Sequence, residues 1–118
     1  ETMAESYLCE DAELVVAAYG ACARIVKNAV NQARADGMKV GLFRPVTLWP
    51  FPERELRAAS ANAKALLTVE MSMGQMVDDV KLATECRKPV HFFGRTGGII
   101  PTPDEVYGEI TKILGGDR

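Results

Sequence analysis

The sequence predicts an α/β fold, a mostly parallel sheet sandwiched between two layers of helices, and three observations predict it. Short apolar runs alternate with segments of helical periodicity four times along the chain. The runs are continuous rather than alternating, as in strands covered on both faces. The connections are short, which suits strand and helix units that return to one sheet. A chain of 118 residues holds one such core and not two, so residues 1–118 are read as a single domain. Glu1 in place of an initiator methionine reads as the start of a piece of a longer polypeptide.

Each element has its own warrant. Glu13 to Tyr19 is the first apolar run, ended by Gly20; Cys22, Val26, Ala29, Val30 and Ala33 then recur at helical spacing until Asp36 and Gly37 stop the helix. Lys39 to Phe43 is the second strand. The following segment, Arg44 to Pro52, contains Pro45, Pro50 and Pro52 and is expected to be a loop of fixed shape. Pro52 suits the first position of a helix whose first turn carries Glu53 and Glu55, where negative charge favours the helix dipole. Ala65 to Glu70 is the third strand. Ser72 and Gln75 have capping-box spacing and open a helix with Met73, Met76, Val77 and Val80 inward. Pro89 to Phe93 is the fourth strand, with His91 expected to pack into the core, and Gly94 to Gly98 is a glycine-rich turn. Thr102, Pro103 and Glu105 combine an N-cap, a first-position proline and the capping-box partner, and Val106, Ile110, Ile113 and Leu114 form that helix's inner face.

Composition excludes several functions. Lys and Arg number 14 against 16 Asp and Glu, a net charge of -2 with no like-charge run, so the basic footprint of a nucleic-acid binder is missing. The early uncharged stretch is about half of the roughly 20 residues that span a bilayer, so no membrane span or secretion signal is expected. Cys9, Cys22 and Cys86 are too widely spaced for a Cys-x-x-Cys site, and with one His they supply too few ligands for structural zinc or an iron-sulfur cluster. Reduced thiols in a cytoplasm follow, with Cys22 and Cys86 acting as small core hydrophobes.

Ligands of open α/β sheets bind at the carboxyl edge where the strand order reverses. Gly20, Arg44, Thr47, Glu70, Met71, Gln75, Arg95, Thr96, Gly97 and Gly98 are placed there. Gly20-Ala-Cys-Ala is a tight turn and not a phosphate loop, which needs several glycines for backbone N–H groups to converge. Gly94 to Gly98 reads either as an anion nest with Arg95 as its charge, or as a plain connector. Gln75 reads as a capping residue before it reads as a ligand. Glu70 is the one carboxylate at a strand end, with no His, Ser or Lys paired to it by sequence, and no catalytic constellation emerges. Trp49 and Phe51, held between prolines, are either an interface or a cover for the sheet edge.

Three segments, Val40 to Pro52, Val69 to Val80, and Gly94 to Gly98 with Pro101-Thr102-Pro103, closely resemble the C-terminal domain of the alpha subunit of 2-oxoacid:ferredoxin oxidoreductases, and Glu10 to Gly20 leading into Ala23-Arg24 is similar to the same family. The proline-aromatic loop followed by Glu-x-x-x-Gly-Gln is the specific part. Ala21 departs from the family, whose members often carry serine there. The resemblance implies a transketolase C-terminal-like α/β/α sandwich whose sheet includes an antiparallel edge strand. It implies a non-catalytic domain in a complex that converts a 2-oxoacid and coenzyme A to acyl-CoA and carbon dioxide while reducing ferredoxin. The middle loop looks most like the 2-oxoisovalerate type, with the 2-oxoglutarate type next. Thiamine diphosphate, magnesium and iron-sulfur clusters would lie elsewhere in that complex and none on this chain. The implied partners are the N-terminal part of the same subunit, the beta subunit, other subunits and ferredoxin. Arg44, Trp49, Phe51, Glu70, Gln75, Arg95, Gly97 and Gly98 are the candidate anion or interface contacts. A stand-alone flavodoxin-like binding module and a structural dimerisation domain are the alternatives.

Overall fold

The computed structural model describes residues 4–18, 21–45, 52–70, 80, 88–94 and 102–115. Its elements are β1 (Ala4–Tyr7), β2 (Leu14–Ala17), α1 (Ala21–Ala35), β3 (Val40–Pro45), α2 (Glu53–Ala59), β4 (Ala65–Glu70), β5 (Val90–Gly94) and α3 (Pro103–Gly115). The five strands form one sheet in the order β1-β3-β2-β4-β5. β1 is antiparallel to β3, and the other pairings are parallel. The four strands read from apolar runs are all present, and the antiparallel edge implied by the resemblance is β1.

Alternate residues of the central strands face opposite layers, and both layers are built. Leu14, Val16, Val40, Leu42, Leu67 and Val69 pack with Val26, Val30, Val106 and Ile110 of α1 and α3. On the other face Val15, Ala17, Phe43 and Leu66 pack with Leu56 of α2 and with Val80. Burying each of these larger side chains contributes about 1.5–3 kcal/mol relative to leaving it in water. All five inward positions read on α1 are buried, Cys22 among them; Cys86 lies outside the described residues.

The helix ends follow their sequence signals. Gly37 adopts φ 90°, a left-handed backbone that suits glycine. Its N–H donates to the Arg34 carbonyl at 3.0 Å and that of Met38 to the Ala33 carbonyl at 3.0 Å, the paired bonds of a Schellman motif. At α3 the capping box is reciprocal: Glu105 N–H donates to Thr102 Oγ1 at 3.2 Å, and Thr102 N–H to Glu105 Oε1 at 2.9 Å. Pro52 stands one position before the first helical residue of α2 and not at that residue. The capping box expected at Ser72 and Gln75, and the inward stripe of Met73, Met76 and Val77, lie outside the described residues.

The expectation that His91 packs into the core is corrected: His91 is exposed, and Phe92 is 44% exposed. β5 is an outer strand that pairs only with β4 among the described residues, so its apolar sequence does not guarantee cover on both faces. Its backbone is tied inward by the Thr68 hydroxyl, which donates to the His91 carbonyl at 3.2 Å.

Candidate functional site

β2 lies at the centre of the parallel part of the sheet. From it the chain passes through α1 to β3 on one side, and then through α2 to β4 on the other. The strand order therefore reverses about β2, and the crevice expected of such a reversal lies at the carboxyl ends of β2 and β4. Ala18 marks the end of β2, where its N–H donates to the Phe43 carbonyl at 3.0 Å and holds it against β3. Glu70 closes β4 in register with Gly94 of β5, which brings the strand-end carboxylate residue beside the first residue of the predicted glycine turn.

Arg44 is on the same edge but two strands from Glu70, a separation of about 10 Å across the sheet. It is not free: Nη1 pairs with Glu5 Oε1 at 2.9 Å, across the antiparallel register of β1 and β3. Trp49, Phe51, Gln75, Arg95, Gly97 and Gly98 lie outside the described residues, as do Gly20, Thr47, Met71 and Thr96. The structure thus joins Glu70 to Gly94 and separates both from Arg44.

Sequence reasoning misses a cleft of about 560 Å³ between β1, the first turns of α1, and β3. Glu5, Tyr7, Arg24, Lys27, Leu42 and Arg44 line it. The Lys27 ammonium lies 4.8 Å from the centroid of the Tyr7 ring, and the Tyr7 hydroxyl donates to Asn31 Oδ1 at 2.6 Å. The first turn of α1 contains no acid and carries Arg24 instead, against the usual preference of the helix dipole. That charge reversal is the available signal. It gains no meaning from sequence, because β1 is polar and does not read as a strand.

Below the cleft, Arg34 holds the connection between β1 and β2. Its guanidinium pairs with Asp11 through Nη2 and Oδ1 at 2.7 Å and Nη1 and Oδ2 at 3.2 Å. It also donates to the Leu8 carbonyl at 2.7 Å and the Val40 carbonyl at 2.9 Å. The hydrogen bond from Arg34 holds the Asp11 carboxyl below its ordinary value. Burial pushes the nearby Cys9 thiol up, which disfavours the reactive thiolate. Cys9 donates its S–H to the Leu42 carbonyl at 3.3 Å and serves the packing of this corner.

A three-layer domain with one antiparallel edge strand and a reversal of strand order at its centre is of the transketolase-like α/β class. It superposes on a split-gene transketolase (inactive beta4 tetramer) with a TM-score of 0.78 over 98% of this chain and 42% of that one, at 17% identity. It superposes on the 2-oxoglutarate:ferredoxin oxidoreductase of Magnetococcus marinus, solved with 2-oxoglutarate, coenzyme A and succinyl-CoA bound, with a TM-score of 0.77 over 93% of this chain and 19% of that one, at 20% identity. These likenesses show the fold.

The chain belongs to the pyruvate:ferredoxin oxidoreductase core domain II family, whose model matches residues 12–106. The ketoisovalerate oxidoreductase subunit VorB of Methanothermobacter marburgensis is 44% identical over 115 residues, 98% of this chain and 32% of that protein. The 2-oxoglutarate synthase subunit KorA of the same organism is 40% identical over 106 residues, 90% of this chain and 28% of that protein. The chain therefore spans about a third of the length of these curated relatives.

Proposed function

We propose that residues 1–118 form one non-catalytic domain of a longer 2-oxoacid:ferredoxin oxidoreductase subunit. The parent complex oxidatively decarboxylates 2-oxoisovalerate, with 2-oxoglutarate the next candidate, and transfers the acyl group to coenzyme A while ferredoxin takes the electrons. The 44% identity to a ketoisovalerate oxidoreductase subunit across 98% of the chain carries this reading. The 40% identity to a 2-oxoglutarate synthase subunit keeps the second substrate in view.

Among the described residues no group of three His, Cys, Asp or Glu is placed to hold a metal ion. Cys9 and Cys22 are separately buried, in the clusters on opposite faces of the sheet. These two described thiols do not converge as the ligands of an iron-sulfur cluster would. Thiamine diphosphate, magnesium and the clusters are assigned to the rest of the complex, and no step is routed through this domain. Its role is to complete the assembly, with Trp49, Phe51 and the Gly94 to Gly98 turn as contacts to the N-terminal part of the subunit and to the beta subunit. No helix among the described residues is long and apolar enough to cross a membrane, and a cytoplasmic complex is the setting proposed.

Assembly tests this role. Trp49→Ala in the intact subunit is expected to weaken association with its partners on gel filtration while shifting the subunit's own melting temperature little. Equal assembly of variant and wild type would contradict the contact role.

A further inference from the structure

We infer that the cleft between β1 and α1 is a binding site for a small organic phosphate, separate from the crevice at the carboxyl ends of β2 and β4. Three cations on two elements line it: Arg24 and Lys27 from successive turns of α1, and Arg44 from β3. Among the described residues Glu5 is the one acid in the lining, so the described lining carries two net positive charges on a chain whose formal charge is -2.

Each cation is held weakly enough to turn to a ligand. The Arg44 and Glu5 side chains are 41% and 67% exposed, and exposed pairs of this kind contribute only about 0–1 kcal/mol. Lys27 rests over the Tyr7 ring, an interaction of about 0.5–1 kcal/mol at an exposed site. Arg24 is exposed and makes no ion pair among the described residues. Its place in the first turn of α1 adds its charge to the positive end of the helix dipole, a local cost that an anion would relieve.

Size and geometry select the ligand class. A space of about 560 Å³ is within the roughly 300–1,000 Å³ range of small-ligand sites. A protein partner would need about 800 Å² of surface per side, more than this concavity offers. A phosphate presents three oxygens in a tetrahedral arrangement and can meet donors that approach from two elements, whereas a carboxylate is planar and best satisfied by one guanidinium fork. Leu42 and the Tyr7 ring provide apolar walls for an organic body.

The site is tested by calorimetric titration of the intact subunit at low ionic strength with inorganic pyrophosphate, and in separate arms with malonate and an oligo-glutamate peptide. Saturable pyrophosphate binding is expected, weakened at least about tenfold in the Arg24→Gln/Lys27→Gln double variant and unchanged in the control Lys39→Gln, which removes a positive charge outside the cleft. The altered side chains are exposed, and an unchanged unfolding midpoint establishes that the variants are folded. Failure to bind, or equal binding by wild type and the double variant, would overturn the site. Malonate binding as tightly as pyrophosphate would overturn the phosphate class, and tighter binding of the peptide would replace a small ligand by an acidic partner. None of these outcomes bears on the oxidoreductase reading, which does not use the cleft.

Discussion

Gly41→Ala is predicted to destabilise the domain by about 2–3 kcal/mol, the upper part of the range for overpacking. Gly41 of β3 pairs with Val15 of β2, and the connection from β1 to β2 crosses directly over it. A Cβ at this position would lie 2.7 Å from the Leu8 oxygen, 2.8 Å from the Cys9 Cα and 2.9 Å from the Leu8 carbonyl carbon. All three are backbone atoms, so no side-chain rotation relieves the contact. The backbone is also pinned: Leu8 has φ 58°, its carbonyl accepts from Arg34 at 2.7 Å, and Cys9 is buried. Gly108 supplies the opposite case, since it sits inside α3 and a methyl group added there would meet nothing within 4 Å. Gly108→Ala is expected to stabilise by about 0.5–1 kcal/mol through helix propensity. For a chain of this length the unfolding entropy is about 250 cal/mol/K, so Gly41→Ala should lower Tm by about 8–12 °C and Gly108→Ala raise it by about 2–4 °C. Thermal and urea unfolding followed by circular dichroism measure both. A Gly41→Ala loss below about 0.5 kcal/mol would refute the close approach as a structural constraint.

Two further predictions concern the ends of helices and strands. Thr102→Ala should cost about 1 kcal/mol in urea unfolding, because it leaves the Glu105 N–H without its cap; Thr102→Ser should retain most of it. Asp11→Asn should lower the urea midpoint at neutral pH. The folded carboxyl titrates below the ordinary 3.8, so its contribution is present above that value and is lost as pH falls through the folded pKa. The gap between wild type and Asp11→Asn should accordingly narrow as pH falls below the ordinary carboxylate range, and a gap that stays constant with pH would contradict the Arg34 pairing as its source.

The parts of the fold that are legible in the sequence are those where local chemistry and tertiary environment agree. β2, β3 and β4 are buried on both faces and read as continuous apolar runs, and α1 and α3 carry both a periodic stripe and a terminal signal. β1 is illegible because an edge strand needs no apolar run. Glu5 and Ser6 are exposed, and the pairing with β3 rather than burial makes Ala4–Tyr7 a strand. His91 is misplaced for the complementary reason: apolar neighbours in sequence do not reveal that a strand is outermost. Of the candidate site, Arg44 falls on the expected edge, but its partner Glu5 sits on the strand that sequence does not reveal, and the basic cleft is hidden with it. The Glu70 and Gly94 juxtaposition depends on strand order, which no local pattern encodes.

Membership of a 2-oxoacid oxidoreductase complex is the central claim, and one assay addresses it directly. The intact subunit, purified anaerobically from its native host with whatever copurifies, is tested against a panel of 2-oxoacids for coenzyme A-dependent reduction of a viologen dye. The prediction is that partner subunits copurify and that 2-oxoisovalerate gives the highest kcat/KM, ahead of 2-oxoglutarate. Absence of copurifying partners together with no coenzyme A-dependent reduction for any 2-oxoacid would contradict it.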